Sequence, residues 1–286
     1  MIKVTAPVRI DISAGWSDAV PFVDQFGGAV LNAAINLRVS ATLKHGKLIS
    51  SLEKVPGHSG LGTSGAIRTA YLIAANPSLM KISKNELIRR VHIFENAIVG
   101  QRAGFQDQAA AIYGGVNYWE FRKDGSIHRT RIPKSDAWHL YDRLVLVFTG
   151  EGHISANVHE RVFEGKRYIR FIPQIDKMRT LARRMVKHIG NEKKMASLIN
   201  QTWELQKHLH SSMESPSMKK LQEVCSGYYL AARATGAGGG GCMLFYVEPE
   251  KKQSLIRKIN KLNGNFPKLK VLPFDFDYRG IEIERS

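Results

Sequence analysis

The stretch from residue 56 to residue 66 combines four glycines with small hydroxyl residues and runs directly into a helix-forming segment. Ile67, Ala70 and Ala74 recur at helical spacing, which places the stretch at a helix N-terminus. Free backbone N–H groups and the helix dipole favour an anion there, and the lack of bulky side chains lets a phosphate approach. An ordinary glycine-rich helix cap has the same pattern, and no Lys-Ser or Lys-Thr of a Walker A loop follows the second glycine. By itself the stretch leaves both interpretations open.

Two carboxylates, Glu95 and Asp107, stand twelve residues apart on predicted helical segments. Glu95 lies on the apolar side of a helix that begins with a capping box at residues 83–86. A carboxylate in that position is costly unless a cation or hydrogen bonds satisfy it, so an arginine partner and a bound metal both remain open. Asp107 precedes a further helix start, where it could act as an N-cap.

Two other loops carry side chains or backbone suited to a ligand. Residues 13–18 form a small-residue loop that presents Trp16 and Asp18, and residues 236–241 form a second glycine-rich loop that enters a strand. Each loop alone is a weak signal, because short glycine-rich turns are common.

The surrounding pattern predicts an α+β protein. Residues 2–13 and 29–52 are typical of strands, residues 116–133 of a hairpin that turns at Asp124 and Gly125, and residues 144–148 of a buried strand. Helices are predicted from about residue 157 to residue 230. A strand at 243–247, a helix at 248–262 and a final strand at 270–274 follow. The change from strands to helices near residue 150 predicts two domains, residues 1–150 and 151–286.

Composition limits the class of protein. The 286 residues are 43% hydrophobic and 23% charged, which is ordinary for a globular chain. No apolar run approaches the roughly 20 residues of a membrane span, and residues 1–7 lack a signal-peptide pattern. The only cysteines, Cys225 and Cys242, lack metal-like spacing, so a cytoplasmic protein without membrane contact is expected.

The net charge of +17 allows a nucleic-acid partner, an anionic substrate or a generally basic proteome. Its densest block, residues 161–187, also has apolar residues at helical spacing, which favours an amphipathic helix with a solvated basic face. Attraction of a phosphorylated or nucleotide substrate is the alternative. Nucleic acid is not favoured, because the interleaved aromatic and basic residues of RNA-binding proteins are absent.

Taken together and in this order, the motifs resemble the GHMP kinase superfamily. Ala6-Pro7-Val8-Arg9 with Asp18 is similar to its first motif, residues 56–66 to its second, and residues 236–241 to its third. Glu95 and Asp107 keep the spacing of the family's metal-binding Glu and catalytic Asp. Residues 15–18 and 106–108 further resemble the sugar-1-kinase branch, which includes heptose 7-phosphate kinases and L-fucokinases.

The resemblance implies a GHMP kinase fold, with an N-terminal ribosomal-protein-S5-like α/β domain and a C-terminal ferredoxin-like α+β domain. It implies an enzyme that uses ATP and Mg²⁺ to phosphorylate a sugar or sugar phosphate, with the anomeric hydroxyl as the expected acceptor. It also implies a role for each matching residue. Asp107 and Arg9 would be catalytic, Ser64 and Glu95 would hold the metal, and the ATP phosphates would contact Gly60, Leu61, Gly62, Thr63, Ser64 and Gly65. The substrate would contact Asp18, Trp16, Gly236, Gly238 and Gly239.

Two departures from the family pattern limit these implications. The second motif begins unusually early, and the shortened stretch between Lys44 and Pro56 normally helps to build the pocket for the nucleotide base. His153 stands near the position of an arginine that heptose kinases carry, which points to a different sugar. A non-sugar alcohol as acceptor, and a basic nucleic-acid-binding or regulatory protein on the same fold, are the alternative functions. The sequence leaves a homodimer open.

Overall fold

A computed structural model describes residues 1–13, 15–100, 103–152, 155–163, 165, 167–262 and 268–285 of the chain. In chain order, its strands and helices are β1 (Ile2–Asp11), α1 (Phe22–Phe26), β2 (Gly28–Lys44), β3 (Lys47–Ser51), α2 (Thr63–Ala75), α3 (Lys84–Ile93), α4 (Gln106–Tyr113), β4 (Val116–Phe121), β5 (Ile127–Arg131), α5 (Lys134–Tyr141), β6 (Leu144–Phe148), α6 (Ser155–Phe163), α7 (Arg167–Val186), α8 (Glu192–Lys207), α9 (Pro216–Val224), β7 (Ala231–Ala234), β8 (Cys242–Tyr246), α10 (Pro249–Asn260), β9 (Lys270–Val271) and β10 (Glu282–Arg285). The predicted α+β class is confirmed.

The first sheet is antiparallel and has the order β10-β1-β2-β4-β5, with β3 paired to the far end of β2. Helices α2 and α4 pack against β1 and β2. Helix α7 also packs against β2, and the inner half of this strand, residues 28–35, is buried throughout. The pairing of β1 with β2 shifts register between Pro7 and Val8, immediately before Arg9.

The second sheet is also antiparallel, with the order β7-β8-β6-β9. The predicted strand at 270–274 is shorter than expected and pairs only over Lys270 and Val271. The N–H of Leu272 still donates to the carbonyl of Leu146 at 2.9 Å. Pro273 follows and has no N–H to continue the ladder.

Each sheet contains a strand from the other side of the predicted domain boundary at residue 150. Strand β6 precedes residue 150 but lies in the second sheet, whereas β10 follows it and returns to pair with β1 in the first sheet. One hydrophobic cluster contains residues of both sheets, among them Val4, Ile35, Leu146 and Leu244. The division at residue 150 therefore stays a prediction.

Helices α6 and α7 pack over the loop that connects β1 to α1. Val162 and Ile175 from these helices contact a cluster that contains Trp16 and Phe22. The opposite face of α7 exposes basic side chains, as its amphipathic sequence predicts. Among the described residues, no helix is both long enough and apolar enough to cross a membrane.

Candidate active site

One cleft of about 350 Å³ collects most of the residues singled out from the sequence. These residues come from β1 and the loop after it, from both glycine-rich loops, from the helical segment after α3 and from the start of α4. Those lining the cleft are Arg9, Trp16, Asp18, Gly60, Gly62, Thr63, Ser64, Glu95, Asp107 and Gly236. Leu61, Gly65, Gly238 and Gly239 lie outside its lining. Residues far apart in the sequence thus form a single site.

Asp107 lies in the first turn of α4 and forms an ion pair with Arg9 from β1. Nε and Nη2 of Arg9 each lie 2.8 Å from Oδ1 of Asp107. Nη1 of Arg9 donates to the carbonyl of Gly60 at 2.6 Å, and the N–H of Arg9 donates to the carbonyl of Leu61 at 2.9 Å. Arg9 therefore connects the Asp107 carboxylate directly to the first glycine-rich loop.

The glycines at the start of α2 make room for Asp107. Gly62 is the N-cap of α2 and has a left-handed backbone, with φ of 70°. A Cβ atom built on Gly62 would lie 2.9 Å from Cγ of Asp107, and one built on Gly65 would lie 2.6 Å from its Cβ. Thr63 and Ser64 face the cleft between these two positions. The buried Gly65 therefore leaves space for the Asp107 side chain without lining the cleft itself. The N-terminus of α2 lines the cleft.

Replacing Gly62 with alanine is expected to lower kcat/KM by about 100-fold, because the added methyl group displaces the Asp107 carboxylate, and a misplacement of about 1 Å can cost that much. Gly46→Ala is the matched control, since Gly46 has φ of 73° but no atom within 4 Å of the added carbon. Steady-state kinetics of both variants, with unfolding curves, separate the effect of the clash from backbone strain. Equal losses in the two variants would show that Asp107 is not displaced.

Glu95 lies on a π-helical segment, Phe94–Ile98, that continues α3. Its side chain is 3% exposed and forms an ion pair with Arg68 of α2. Burial raises the pKa of Glu95 to about 7, with the Arg68 charge acting in the opposite direction. The second carboxylate oxygen, Oε2, has no hydrogen-bond partner among the described residues. The arginine partner allowed by the sequence is therefore present, and one oxygen remains available for a ligand.

Asp18 is buried, and its Oδ2 accepts the backbone N–H of Gln106, the residue before Asp107, at 2.9 Å. Burial raises the pKa of Asp18 from 3.8 to about 7; the Gln106 N–H acts in the opposite direction, and the charges of Asp107 and Asp11 add to the increase.

The raised pKa of Asp18 predicts a pH dependence of stability. Between about pH 4 and pH 7 the native protein keeps a proton that the unfolded chain releases. The free energy of unfolding should therefore fall as pH rises through this window, by at most about 1.4 kcal/mol per pH unit. Asp18→Asn should lack this contribution, which urea unfolding of both proteins at pH 5, 6 and 7 would measure. A difference between wild type and variant that does not change with pH would contradict the assignment.

Trp16 has a left-handed backbone, with φ of 61°, and is 4% exposed. Its ring packs against His159 and Phe163 of α6, at centroid distances of 5.0 and 5.7 Å. His159 also lines the cleft. Helix α6 of the C-terminal half thus completes the wall that contains Trp16.

The second glycine-rich loop contacts the first through backbone atoms. The N–H of Cys242 donates to the carbonyl of Ser59 at 2.8 Å, and the α-carbon of Gly236 faces the carbonyl of Gly60. Gly238 and Gly239 face away from the cleft towards Ser212 and Met213 of the short helix before α9. These two glycines therefore shape the loop, and the structure does not bring them to the predicted substrate site.

A buried ion pair between Asp11 and Arg233 joins the two halves of the chain behind the cleft. Nη1 of Arg233 lies 2.9 Å from the carbonyl oxygen of Asp11 and 3.4 Å from its Oδ1, and both side chains have 0% exposure. Nη2 donates to Gln206, whose amide donates to the carbonyl of Gly236. The Asp11 carboxylate accepts the N–H groups of Ser13 and Gly15, which begin the Trp16 loop.

Asp11, Arg68 and His159 line the cleft and Arg233 lies behind it, but the sequence patterns assigned no role to them; Gln106, which also lines the cleft, was noted only as part of the motif at residues 106–108. Asp11 could have been found, because it lies two residues after Arg9 and thus on the same face of β1. The others follow no local pattern. His153 lies outside the described residues.

Comparison with known proteins places this site in a family. The chain matches the GHMP kinase N-terminal domain over residues 29–115 and the GHMP kinase C-terminal domain over residues 172–265. It is 24% identical to the D-glycero-alpha-D-manno-heptose 7-phosphate kinase of Campylobacter jejuni, with 99% of each chain covered. It is 23% identical to the L-fucokinase/L-fucose-1-P guanylyltransferase of Bacteroides fragilis, over 83% of this chain and 26% of that protein.

The fold agrees with these matches. The crystal structure of a D-glycero-D-manno-heptose 1-phosphate kinase from Bacteroides thetaiotaomicron superimposes with a TM-score of 0.76 and 22% identity, covering 100% of this chain and 99% of that one. The predicted two-part fold is thereby confirmed. With the domain matches in both halves and the two glycine-rich loops meeting at one cleft, the chain belongs to the GHMP kinase family.

Proposed function

We propose that the chain transfers the γ-phosphoryl group of ATP to a hydroxyl group of a sugar, with the anomeric hydroxyl as the expected acceptor. The observation that carries the proposal is the position of the Asp107–Arg9 pair, which lies in one cleft with both the N-terminus of α2 and Asp18. In this proposal Asp107 is the proton acceptor, the N-terminus of α2 binds the phosphates and Asp18 binds a sugar hydroxyl. The names of the heptose phosphate kinase and fucokinase relatives support a sugar as substrate.

In the proposed reaction, Asp107 orients the sugar hydroxyl and accepts its proton as the oxygen attacks the γ-phosphorus. The bond between this phosphorus and the β,γ-bridging oxygen breaks, and ADP leaves. Arg9 offsets negative charge on the transferring group. Backbone N–H groups of residues 60–65 and the dipole of α2 hold the phosphates.

The residues of the cleft fit a magnesium ion. Ser64 presents an exposed hydroxyl, and Glu95 has the carboxylate oxygen Oε2 without a partner among the described residues. Hydroxyl and carboxylate oxygens are ligands that Mg²⁺ prefers, together with phosphate oxygens. When bound, Mg²⁺ would neutralise charge on the ATP phosphates. We assign Ser64 and Glu95 as its protein ligands.

The base of the nucleotide is expected beside Leu52 and Ile67, which line the cleft next to the first glycine-rich loop. Strands β2 and β3 form a short hairpin here, with only His45 and Gly46 between them. Because the chain is short between Lys44 and Pro56, we expect the selectivity for the nucleotide base to be loose or altered.

A substrate panel tests the proposal. The purified protein is incubated with Mg²⁺ and ATP or GTP, and with L-fucose, D-galactose, D-mannose, D-glycero-D-manno-heptose and its 7-phosphate, while a coupled assay follows ADP. NMR of the product then gives the position and anomer of the new phosphate. A sugar 1-phosphate is the expected product, and the absence of transfer to every sugar would contradict the proposal.

A non-sugar alcohol is the second candidate acceptor. The chain is 26% identical to the mevalonate kinase of Pyrococcus furiosus, over 88% of this chain and 73% of that protein. Mevalonate and homoserine therefore belong in the same panel, and their turnover in place of a sugar would favour this candidate.

A further inference from the structure

The backbone N–H and carbonyl of Gln106, at the start of α4, are both held by hydrogen bonds to other residues. Its N–H donates to Oδ2 of Asp18 at 2.9 Å, and its carbonyl accepts from Nδ2 of Asn32 at 3.2 Å. Asn32 is in turn held by the indole N–H of Trp119, which donates to its Oδ1 at 3.0 Å. The backbone position of Gln106 is therefore independent of its side chain.

The side-chain amide of Gln106 lies against Gly15 on the wall of the cleft. A Cβ atom built on Gly15 would overlap Nε2 of Gln106 and lie 3.2 Å from its Cδ. Gln106 is 7% exposed and lines the cleft, yet its Oε1 has no hydrogen-bond partner among the described residues. A buried amide oxygen without a partner is unfavourable, so a ligand that donates a hydrogen bond to it gains affinity.

The ligand group that suits this amide is a hydroxyl. A carboxamide presents a donor at one end and an acceptor at the other, and a hydroxyl group both donates and accepts. The neighbouring carboxyl group of Asp18, whose Oδ2 accepts the N–H of Gln106, can also pair with a hydroxyl group in either protonation state. The two side chains together therefore suit a molecule with adjacent hydroxyl groups.

We propose that Gln106 determines substrate specificity by hydrogen bonding to a second sugar hydroxyl, adjacent to the hydroxyl bound by Asp18, while Gly15 keeps the space that this amide occupies. The inference rests on the proposed sugar kinase function. It adds Gln106 to the residues that contact the sugar, and it adds a second hydroxyl to the sugar groups that the protein recognises. It makes Gln106 a residue that contacts the sugar and not the nucleotide.

Gln106→Leu tests the inference, because leucine has a similar size but no polar atoms. With the sugar identified by the panel, kcat/KM should fall about 10- to 100-fold, the effect of one lost hydrogen bond in a buried site. The KM for ATP should stay within about twofold of wild type if Gln106 contacts only the sugar. Monodeoxy analogues of that sugar give the decisive comparison. For the analogue that lacks the recognised hydroxyl, the wild type and Gln106→Leu should have nearly equal kcat/KM.

Gly15→Ala should also lower kcat/KM, since the added carbon overlaps Nε2 of Gln106 and lies 3.0 Å from Oδ1 of Asp18, whereas Gly190→Ala is the control because no atom lies within 4 Å of the added carbon. Equal losses for Gln106→Leu on the parent sugar and on every deoxy analogue would overturn the inference and leave the proposed function intact. A panel without any sugar turnover would instead overturn the proposed function and the inference with it.

Discussion

Asp107→Asn is expected to lower kcat by about 10²- to 10⁴-fold, the range contributed by a positioned general base. An asparagine keeps the shape of the side chain but cannot accept the proton of the sugar hydroxyl. The dissociation constant for ATP should change little, because the phosphates are held by backbone N–H groups of the first glycine-rich loop. Single-turnover kinetics and calorimetric titration with a non-hydrolysable ATP analogue measure the two quantities separately.

Asp136→Asn is the matched control, since Asp136 is exposed in the first turn of α5 and does not line the cleft. It should keep wild-type kcat. Turnover by Asp107→Asn at the rate of this control would rule out the assigned role of Asp107. A large loss of ATP affinity in Asp107→Asn would instead show that the carboxylate supports the nucleotide site through Arg9.

Arg233→Met is expected to lower the free energy of unfolding by about 3–5 kcal/mol, the usual cost of removing one partner from a buried ion pair. The substitution leaves the Asp11 carboxylate without its cation at 0% exposure, and it also removes the donor to Gln206. Methionine fills a similar volume, so the expected loss reflects the unpaired charge more than a cavity. Urea unfolding measures the change.

The double variant Asp11→Asn, Arg233→Met should recover part of this loss, because no buried charge is left unpaired. The control is Arg90→Met, which breaks an exposed pair with Glu86 and should leave the free energy of unfolding nearly unchanged. If Arg233→Met costs no more than Arg90→Met, the ion pair does not stabilise the junction. The KM for sugar should also rise in Arg233→Met, since Asp11 holds the backbone of the Trp16 loop.

The amino-acid sequence predicted the local features of the fold well. The hairpin of β4 and β5, the capping of α3 by Ser83 and the amphipathic character of α7 all follow from patterns within a few residues. The strand predicted at residues 270–274 is longer than the observed one. The observed length depends on pairing with β6 and on Pro273, which ends that pairing. Strand length in a sheet is set by neighbours that lie elsewhere in the chain.

The order of the motifs was also sufficient to indicate the family, because glycine-rich loops and the Glu95–Asp107 spacing are local properties of the chain. The tertiary structure alone decided how these residues meet. It placed Gly62 and Gly65 against Asp107, gave Glu95 its arginine partner, and turned Gly238 and Gly239 away from the cleft. The Asp11–Arg233 pair spans 222 residues and exists only because two sheets pack together. No periodicity in a sequence encodes such a contact, since it depends on the packing of every element in between.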